Sequence, residues 1–189
     1  ASGTKTFTGL VTLAAAGIWN NNTVNAQINL RGGVSNSGTF NAGTGTYTFS
    51  TNNQALTGTL SIPNITVTGI TLTNNGTLTV SSALAGSGGL TQAVNSTLNL
   101  GGTSGITTLT ASNNGNTINF SGAAQSVNVS SYYNLIISGS GNKTMSGNIT
   151  VDGTLTLTAG TFTVGANTLT LNGPTIDGTP ANLVTAATS

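Results

Sequence analysis

Apolar and polar residues alternate along most of the chain in short runs that end at Gly or Asn. Typical runs are TLTV, TLNL, TINF and TLTL at residues 77–80, 97–100, 117–120 and 154–157. Side chains on a β-strand point alternately to opposite faces, so each run predicts a strand with one apolar face. The Gly and Asn residues that follow favour turns, because they tolerate the positive φ of tight turns.

The spacing of these runs predicts a stacked architecture. Successive runs place an apolar residue at nearly constant intervals, at Leu78, Leu98, Ile118, Leu135 and Leu155. A second row with similar but less even intervals lies at Leu109, Val127, Ile149 and Leu169. The N-terminal third continues more loosely through Ile28, Tyr47 and Leu60. A repeat of about 20 residues with two or three strands per turn is typical of a parallel β-helix, or β-solenoid.

An antiparallel β-sandwich of the jelly-roll type is the alternative, because turn signals recur often enough to fit it. The constant register of the rows and the likeness of neighbouring units favour the solenoid. We therefore expect a single all-β domain over residues 1–189. Residues 1–61 are less regular and are expected to form a cap or an assembly segment, and residues 62–189 a repetitive solenoid.

Residues 132–173 carry a resemblance to known proteins. The segment reads YYNLIISGSGNKTMSGNITVDGTLTLTAGTFTVGANTLTLNG. It resembles the Gly/Thr/Asn-rich β-solenoid repeats of large bacterial surface proteins, such as adhesins, autotransporter-like passengers and outer-surface proteins of Bacteroidetes type. The likeness is good over 132–173 and weaker over 70–131. It implies an exported, right-handed parallel β-helix used for display or adhesion at the cell surface, without catalytic activity.

Charged residues are scarce, at 3 % of the chain against about 25 % in ordinary domains. They are Lys5, Arg31, Lys143, Asp152 and Asp177, with a net charge of +1. The longest apolar stretch, residues 10–19, is too short for a membrane helix, which needs roughly 18 to 20 apolar residues. Without a basic cluster the chain is not expected to bind nucleic acid or an anionic membrane surface.

The chemistry of sites is nearly absent. The chain has no Glu, His or Cys, so Asp152 and Asp177 are the only groups suited to acid–base catalysis near neutral pH. They are separated by a little more than one predicted coil, but each precedes Gly, which favours a turn. Zinc would lack nitrogen and sulfur ligands, and calcium would lack several carboxylates. We expect no enzyme, no catalytic or metal site and no cofactor.

Assembly is the function that the pattern favours. An open solenoid ends in unpaired strands, which proteins usually protect with charges, Pro or a polar cap. This chain has almost no charge for that purpose, and its segment 7–13 (FTGLVTL) alternates like a strand that can join a neighbour's sheet. The expected function is an extracellular subunit of a homopolymeric filament or surface layer, assembled by strand addition or end-to-end stacking. The candidate assembly residues are Phe7, Leu10, Val11, Leu13 and Trp19.

Two binding functions remain as alternatives. One is a carbohydrate-binding adhesin module, with glycans as partners and an exposed Tyr of the pair Tyr132 and Tyr133 as a candidate contact. The other is ice binding through a flat array of Thr-x-Thr pairs, although Thr is also the favoured uncharged residue of water-facing strands. These pairs are Thr6/Thr8, Thr46/Thr48, Thr66/Thr68, Thr71/Thr73, Thr77/Thr79, Thr154/Thr156 and Thr161/Thr163.

Overall fold

Parallel strands stack into a β-solenoid of about nine turns, roughly 19 residues apart. The computed structural model describes residues 3–173 and 175–185. Within them every strand pair is parallel, and the only helix is a single 3-10 turn at Pro180–Asn182. The predicted solenoid is therefore confirmed, and the antiparallel sandwich is wrong.

Most coils contribute three short strands, which stack on those of the next coil to form three faces. Face 1 consists of β1 (Lys5–Phe7), β4 (Ile28–Leu30), β7 (Thr46–Ser50), β10 (Asn64–Thr68), the first halves of β13 (Ala83–Gln92) and β15 (Thr103–Thr110), β17 (Gln125–Val127), β20 (Asn142–Met145), β23 (Thr161–Gly165) and β26 (Leu183–Thr185). Face 2 consists of β2 (Val11–Leu13), β5 (Val34–Asn36), β8 (Gln54–Thr57), β11 (Thr71–Asn74), the second halves of β13 and β15, β18 (Ser131–Tyr132), β21 (Ile149–Val151) and β24 (Leu169–Leu171).

Face 3 is the most regular of the three. It consists of β3 (Ile18–Asn20), β6 (Thr39–Asn41), β9 (Thr59–Ser61), β12 (Thr77–Val80), β14 (Thr97–Leu100), β16 (Thr117–Phe120), β19 (Asn134–Ile137), β22 (Leu155–Leu157) and β25 (Ile176–Gly178). Its ladder of hydrogen bonds runs unbroken from β9 to β25. The strands of residues 5–61 belong to the same three faces as the later ones.

The core is a set of apolar columns that point into the solenoid. On face 3 the first row predicted from the sequence forms one such column in unbroken register, at Leu78, Leu98, Ile118, Leu135 and Leu155, and Leu60 extends it by one coil. Each of these side chains is buried. Burial of an aliphatic side chain contributes about 1.5–3 kcal/mol, so the column is a main source of stability.

The second predicted row is wrong at one position. Leu109, Ile149 and Leu169 lie on face 2, whereas Val127 lies on face 1 opposite Met145. In the N-terminal third Ile28 and Tyr47 share a column on face 1, but Leu60 belongs to face 3. Strands of neighbouring faces show the same alternation, so an interval close to the length of one coil does not reveal on which face a strand lies.

The adjacent tyrosines differ in burial, but Tyr133 lies in the bend after β18 and not on the strand that the alternation predicts. Tyr132 is buried edge-on against Phe120 and its hydroxyl oxygen accepts a hydrogen bond from the Val129 amide at 3.2 Å. Tyr133 is half-buried. Burial raises the pKa of Tyr132 well above its ordinary value.

Buried asparagines close the corner between faces 2 and 3. The Asn36 amide group donates to the Thr59 carbonyl oxygen at 2.7 Å, and its Oδ1 accepts from the Gly38 amide at 3.0 Å. Two coils further on, Asn74 donates to the Thr97 carbonyl oxygen at 2.9 Å and accepts from the Gly76 amide at 3.1 Å. These side chains satisfy backbone groups that leave the sheet at the corner.

Replacing Asn74 by Ala tests this role. Asn74 also donates to Gln92 Oε1 at 2.7 Å, so the variant leaves several buried partners unpaired. We expect a loss of about 1–3 kcal/mol in the free energy of unfolding, measured by urea denaturation. Asn75→Ala changes the exposed neighbour and is expected to stay within about 0.5 kcal/mol of the wild type. Equal losses in the two variants would contradict the corner role.

Candidate functional site

The first coil leaves one edge of each of its strands unpaired. β1, β2 and β3 pair only with β4, β5 and β6 within the described residues. Apolar side chains are exposed beside these edges, among them Ile18 at 71 % and Val24 at 57 %. Both residues line a cavity of about 290 Å³ together with Lys5, Phe7 and Trp19. This N-terminal end is thus an open core.

An aromatic cluster fixes the side chains at this opening. The Trp19 ring stacks on Phe40, with centroids 5.5 Å apart and an interplanar angle of 6°, and Phe7 meets it edge-on at 5.1 Å. Trp19 Nε1 donates to the Tyr47 hydroxyl at 2.8 Å, which in turn donates to the Ala42 carbonyl oxygen at 3.0 Å. Burial raises the pKa of Tyr47. The end therefore presents a pre-ordered apolar surface.

The five candidate assembly residues lie in or near the first coil. Phe7, Val11 and Trp19 are partly buried against the core, Leu13 is buried, and Leu10 is exposed in the turn between β1 and β2. The segment 7–13 does not project from the fold, because its strands already pair with β4 and β5 of the same chain. What it offers to a neighbour is the free edge of those strands.

The last coil is open in the same way. β24, β25 and β26 pair only with β21, β22 and β23 in the described part of the chain. Leu169, Ile176 and Leu183 pack against the core on one side and are only partly buried. Leu171 is exposed. The C-terminal end therefore also exposes inward-pointing apolar side chains beside unpaired strand edges.

Charges are distributed along the axis with opposite signs at the two ends. Lys5 lies in β1 and Arg31 directly follows β4, so both are in the first two coils. Asp152 directly follows β21 and Asp177 lies in β25, in the last two coils. The remaining charged residue, Lys143, is buried. The surface thus carries a positive N-terminal end and a negative C-terminal end.

The two aspartates do not form a pair. Asp152 accepts a hydrogen bond from the Asn172 amide group at 2.8 Å, in the bend predicted from its Asp-Gly sequence. The turn predicted at Asp177 is wrong, because the residue lies within β25 on face 3 and accepts from the Gly178 amide at 2.7 Å. Among the described residues no group of three or more His, Cys, Asp or Glu side chains is placed to hold a metal ion.

Face 3 carries two outward columns of mostly uncharged polar side chains, and we call the part of them from Thr59 to Thr156 the face 3 array. The first column consists of Thr59, Thr77, Thr97, Thr117 and Asn134, and the second of Ser61, Thr79, Asn99, Asn119, Ile136 and Thr156. The second column contains a chain of side-chain hydrogen bonds. Asn119 donates to Asn99 at 3.1 Å and accepts from Ser138 at 2.7 Å, while Asn99 donates to Thr79 at 3.4 Å. These bonds hold the side chains in one orientation.

The array differs from the one that the Thr-x-Thr pairs predict. Those pairs do not collect on one face: Thr46/Thr48 lies on face 1, Thr71/Thr73 on face 2 and Thr77/Thr79 on face 3. The array instead includes Thr97 and Thr117, whose strands read Thr-x-Asn. The array could have been identified in the sequence by aligning the strands of face 3 with one another, and not by searching for the Thr-x-Thr motif.

Lys143 is a buried cation that sequence reasoning missed. Its side chain has 0 % exposure, and its Nζ donates to the carbonyl oxygens of Gly122 at 2.7 Å and Ser140 at 2.8 Å. In the preceding coil Gln125 occupies the same column and donates to two carbonyl oxygens in a similar manner. Burial away from water lowers the pKa of Lys143. Its alternation with Met145 in β20 was the signal that it points inward.

Comparison with known proteins gives no relative: no family model, curated protein or solved structure matches the chain. No helix in the described residues has the length and apolarity needed to cross a membrane. The candidate sites are therefore the two open ends and the face 3 array, which are judged on their own geometry.

Replacing Lys143 by Gln tests the burial of its ammonium group. With the pKa lowered on folding, the unfolded chain binds more protons than the folded chain in the interval below the ordinary value of 10.5. Stability should therefore rise with pH in that interval. Relative to Lys143→Gln, we expect the wild type to gain unfolding free energy in urea titrations as the pH rises towards 10.5. The raised pKa of Tyr47 and Tyr132 is common to both proteins and cancels.

Lys5→Gln removes the same charge from an exposed position and controls for the change in net charge. Parallel pH profiles for the wild type and Lys143→Gln would contradict the effect of burial on the Lys143 ammonium group.

Proposed function

We propose that the chain is an extracellular structural protein whose solenoids stack end to end into a filament or surface layer. The observation that carries the proposal is the pair of open ends, where six strands in the first and last described coils have a free edge beside exposed apolar side chains. Free strand edges readily pair with another chain unless they are blocked. The resemblance of residues 132–173 to bacterial surface repeats supports the extracellular setting.

Strand direction favours stacking of the N-terminal end of one copy on the C-terminal end of the next. This arrangement continues the parallel pairing that already joins every coil to its neighbour. It also buries Phe7 and Trp19 of one copy against Leu171 and Ile176 of the other. Such a head-to-tail contact is heterologous, so it propagates into a filament when it does not close into a ring.

The axial charge distribution favours the same orientation. Head-to-tail contact brings the end with Lys5 and Arg31 towards the end with Asp152 and Asp177. Head-to-head contact would oppose two positive ends. Charges of this kind mainly steer encounters, and salt screens them over about 8 Å at physiological ionic strength. The apolar and backbone contacts supply the affinity, whereas the charges set the polarity of growth.

A second ammonium group placed at the opening, which Lys5 already lines, should block assembly. Val24→Lys puts an ammonium group beside the N-terminal cavity, where stacking would have to remove it from water. We expect at least a tenfold weaker self-association by sedimentation velocity, and loss of filaments in negative-stain electron micrographs. Val94→Lys is the matched control, because Val94 is 60 % exposed in a turn between β13 and β14, away from both ends.

Circular dichroism must show an unchanged β spectrum in both variants. A Val24→Lys protein that assembles as well as Val94→Lys would overturn the assignment of this end, and a wild-type chain that stays monomeric at high concentration would overturn the proposed function itself.

Ice binding is a second candidate function, and the face 3 array is the observation that favours it. Its side chains repeat at about 4.8 Å between coils and about 6.7 Å along a strand, from ordinary β geometry. Oxygen atoms on the surface of hexagonal ice repeat at similar spacings. Between Thr59 and Thr156 the two columns contain no charged or aromatic side chain, and the second column ends at Asp177 in the last described coil. That composition suits an extended water lattice better than a sugar, which commonly stacks on aromatic rings.

Bulky substitutions in the array test the second candidate. Thr97→Tyr and Thr117→Tyr place rings above adjacent strands of the array and should lower thermal hysteresis and ice-recrystallisation inhibition several-fold. Thr48→Tyr is the control, because Thr48 is an outward, half-buried residue of face 1. If the wild type shows neither activity, or if Thr48→Tyr reduces activity as much as the array variants, the ice-binding function is wrong.

A further inference from the structure

The register between stacked copies follows from the way the coils ascend. At both ends of the solenoid each strand pairs with the third strand after it along the chain. In the first coils β1 pairs with β4, β2 with β5 and β3 with β6. In the last coils β21 pairs with β24, β22 with β25 and β23 with β26. The strand that would follow β26 thus belongs on the free edge of β24.

We infer that a second copy docks with its β1 on β24, its β2 on β25 and its β3 on β26. This inference rests on the end-to-end assembly proposed above. β1 lies on face 1 of its own chain and β24 on face 2, so each copy is turned by one face relative to the copy before it. The three free edges at one end then meet the three free edges at the other.

The rise of the chain excludes the two other registers. Neighbouring strands are about 4.8 Å apart, so with three strands per coil the average rise is about 1.6 Å from one strand to the next. All heights are measured from β24. The free position above β24 lies about 4.8 Å higher, the one above β25 about 6.4 Å higher and the one above β26 about 8.0 Å higher. Strands β1, β2 and β3 of the incoming copy ascend in the same steps and occupy all three positions together.

Same-face stacking fails this test. If β1 of the second copy lay on β26, then β2 and β3 would lie about 4.8 Å too high above β24 and β25, which leaves one strand missing on each. Lowering the copy by one strand spacing would place β1 in the space that β26 fills. Placing β1 on β25 leaves a gap of one strand between β3 and β24. Only the register turned by one face pairs every edge.

Side-chain direction agrees with the turned register in two of the three strand pairs. In β1 the middle residue Thr6 points outward and Phe7 points into the core, and in β24 Thr170 and Leu171 do the same. In β2 and β25 the outward middle residues are Thr12 and Asp177, so a hydroxyl group meets a carboxylate. In the third pair Trp19 points inward and Val184 outward, so β3 must be offset by one residue on β26, and the outward residues Ile18 and Val184 are apolar.

Lys5 is compatible with this interface even though it occupies an inward column opposite Ile28. Lys143 lies at the same kind of position, at the start of a face 1 strand, and its Nζ donates to two carbonyl oxygens at the corner. The solenoid therefore already contains one inward lysine whose hydrogen bonds are satisfied by backbone, and Lys5 can reach corner carbonyl groups in the same way.

Engineered disulfides distinguish the registers, and the chain has no native Cys to interfere. Thr6→Cys with Thr170→Cys places both thiols on the outside of adjacent strands in the turned register. Their Cα atoms would be about 4.8 Å apart, within the roughly 4.4–6.8 Å range of disulfides. Thr6→Cys with Val184→Cys reports same-face stacking, and Thr6→Cys with Asp177→Cys reports the third register.

After mild oxidation we expect Thr6→Cys/Thr170→Cys to form a ladder of covalent oligomers on non-reducing gels. The other two pairs should stay at the level of the single variant Thr6→Cys. The ends lie roughly 40 Å apart, at about 4.8 Å per coil, so a disulfide within one chain cannot compete.

The contrary outcomes separate the inference from the proposed function. Filaments that cross-link through Val184 or Asp177, or through none of the three pairs, would overturn the turned register but leave end-to-end assembly standing. If sedimentation velocity shows that the wild type and all three double variants remain monomers before oxidation, the assembly proposal and this register fall together.

Discussion

Pairing between successive coils is the interaction on which the whole structure depends. A single coil of about 19 residues has only three short strands and cannot bury its own apolar side chains. Stacking supplies both the hydrogen-bond partners of the strands and the burial of the apolar side chains. Backbone groups of one coil bond to the next coil, and the apolar residues of successive coils pack against each other. With no cysteine and hardly any charge, the chain has no disulfide and little electrostatics to substitute for this pairing. The buried asparagines at the corners serve the same end, because they bond across coils where the strands turn.

The sequence predicted the fold where alternation and spacing agreed. On face 3 the intervals between Leu78 and Leu155 stay close to the length of one coil, so the row read from the sequence is a column in the structure. The prediction failed at Val127, because the coils around β15 and β17 vary in length and the interval alone does not identify the face. Likewise the Thr-x-Thr motif did not identify the array, since what aligns side chains is the register between coils and not the spacing within one strand.

Buried polar groups were the least predictable part of the molecule. Asn74 and Lys143 sit where alternation demands an inward side chain, yet polar residues at such positions read as surface or turn residues in a sequence this rich in Asn. Their roles emerge only when carbonyl groups of the adjacent coil are in place to receive them. The free ends could be anticipated from the lack of protective charge, but the number and order of their unpaired strands required the topology.

The ends and the face 3 array are independent because they use different groups of the same scaffold. The proposed assembly would use backbone edges and inward side chains of the first and last coils, whereas the array consists of outward side chains of the coils between them. Stacking in the turned register carries the array of one copy onto a neighbouring face in the next, so that the arrays would wind around a filament and not lie in one plane. A water lattice needs a planar surface. In an extended filament each copy would therefore offer its own array to ice separately, because the arrays of neighbouring copies would face different directions. The monomer and the filament would then differ in how they engage ice, although every array side chain keeps the same contacts within its own solenoid.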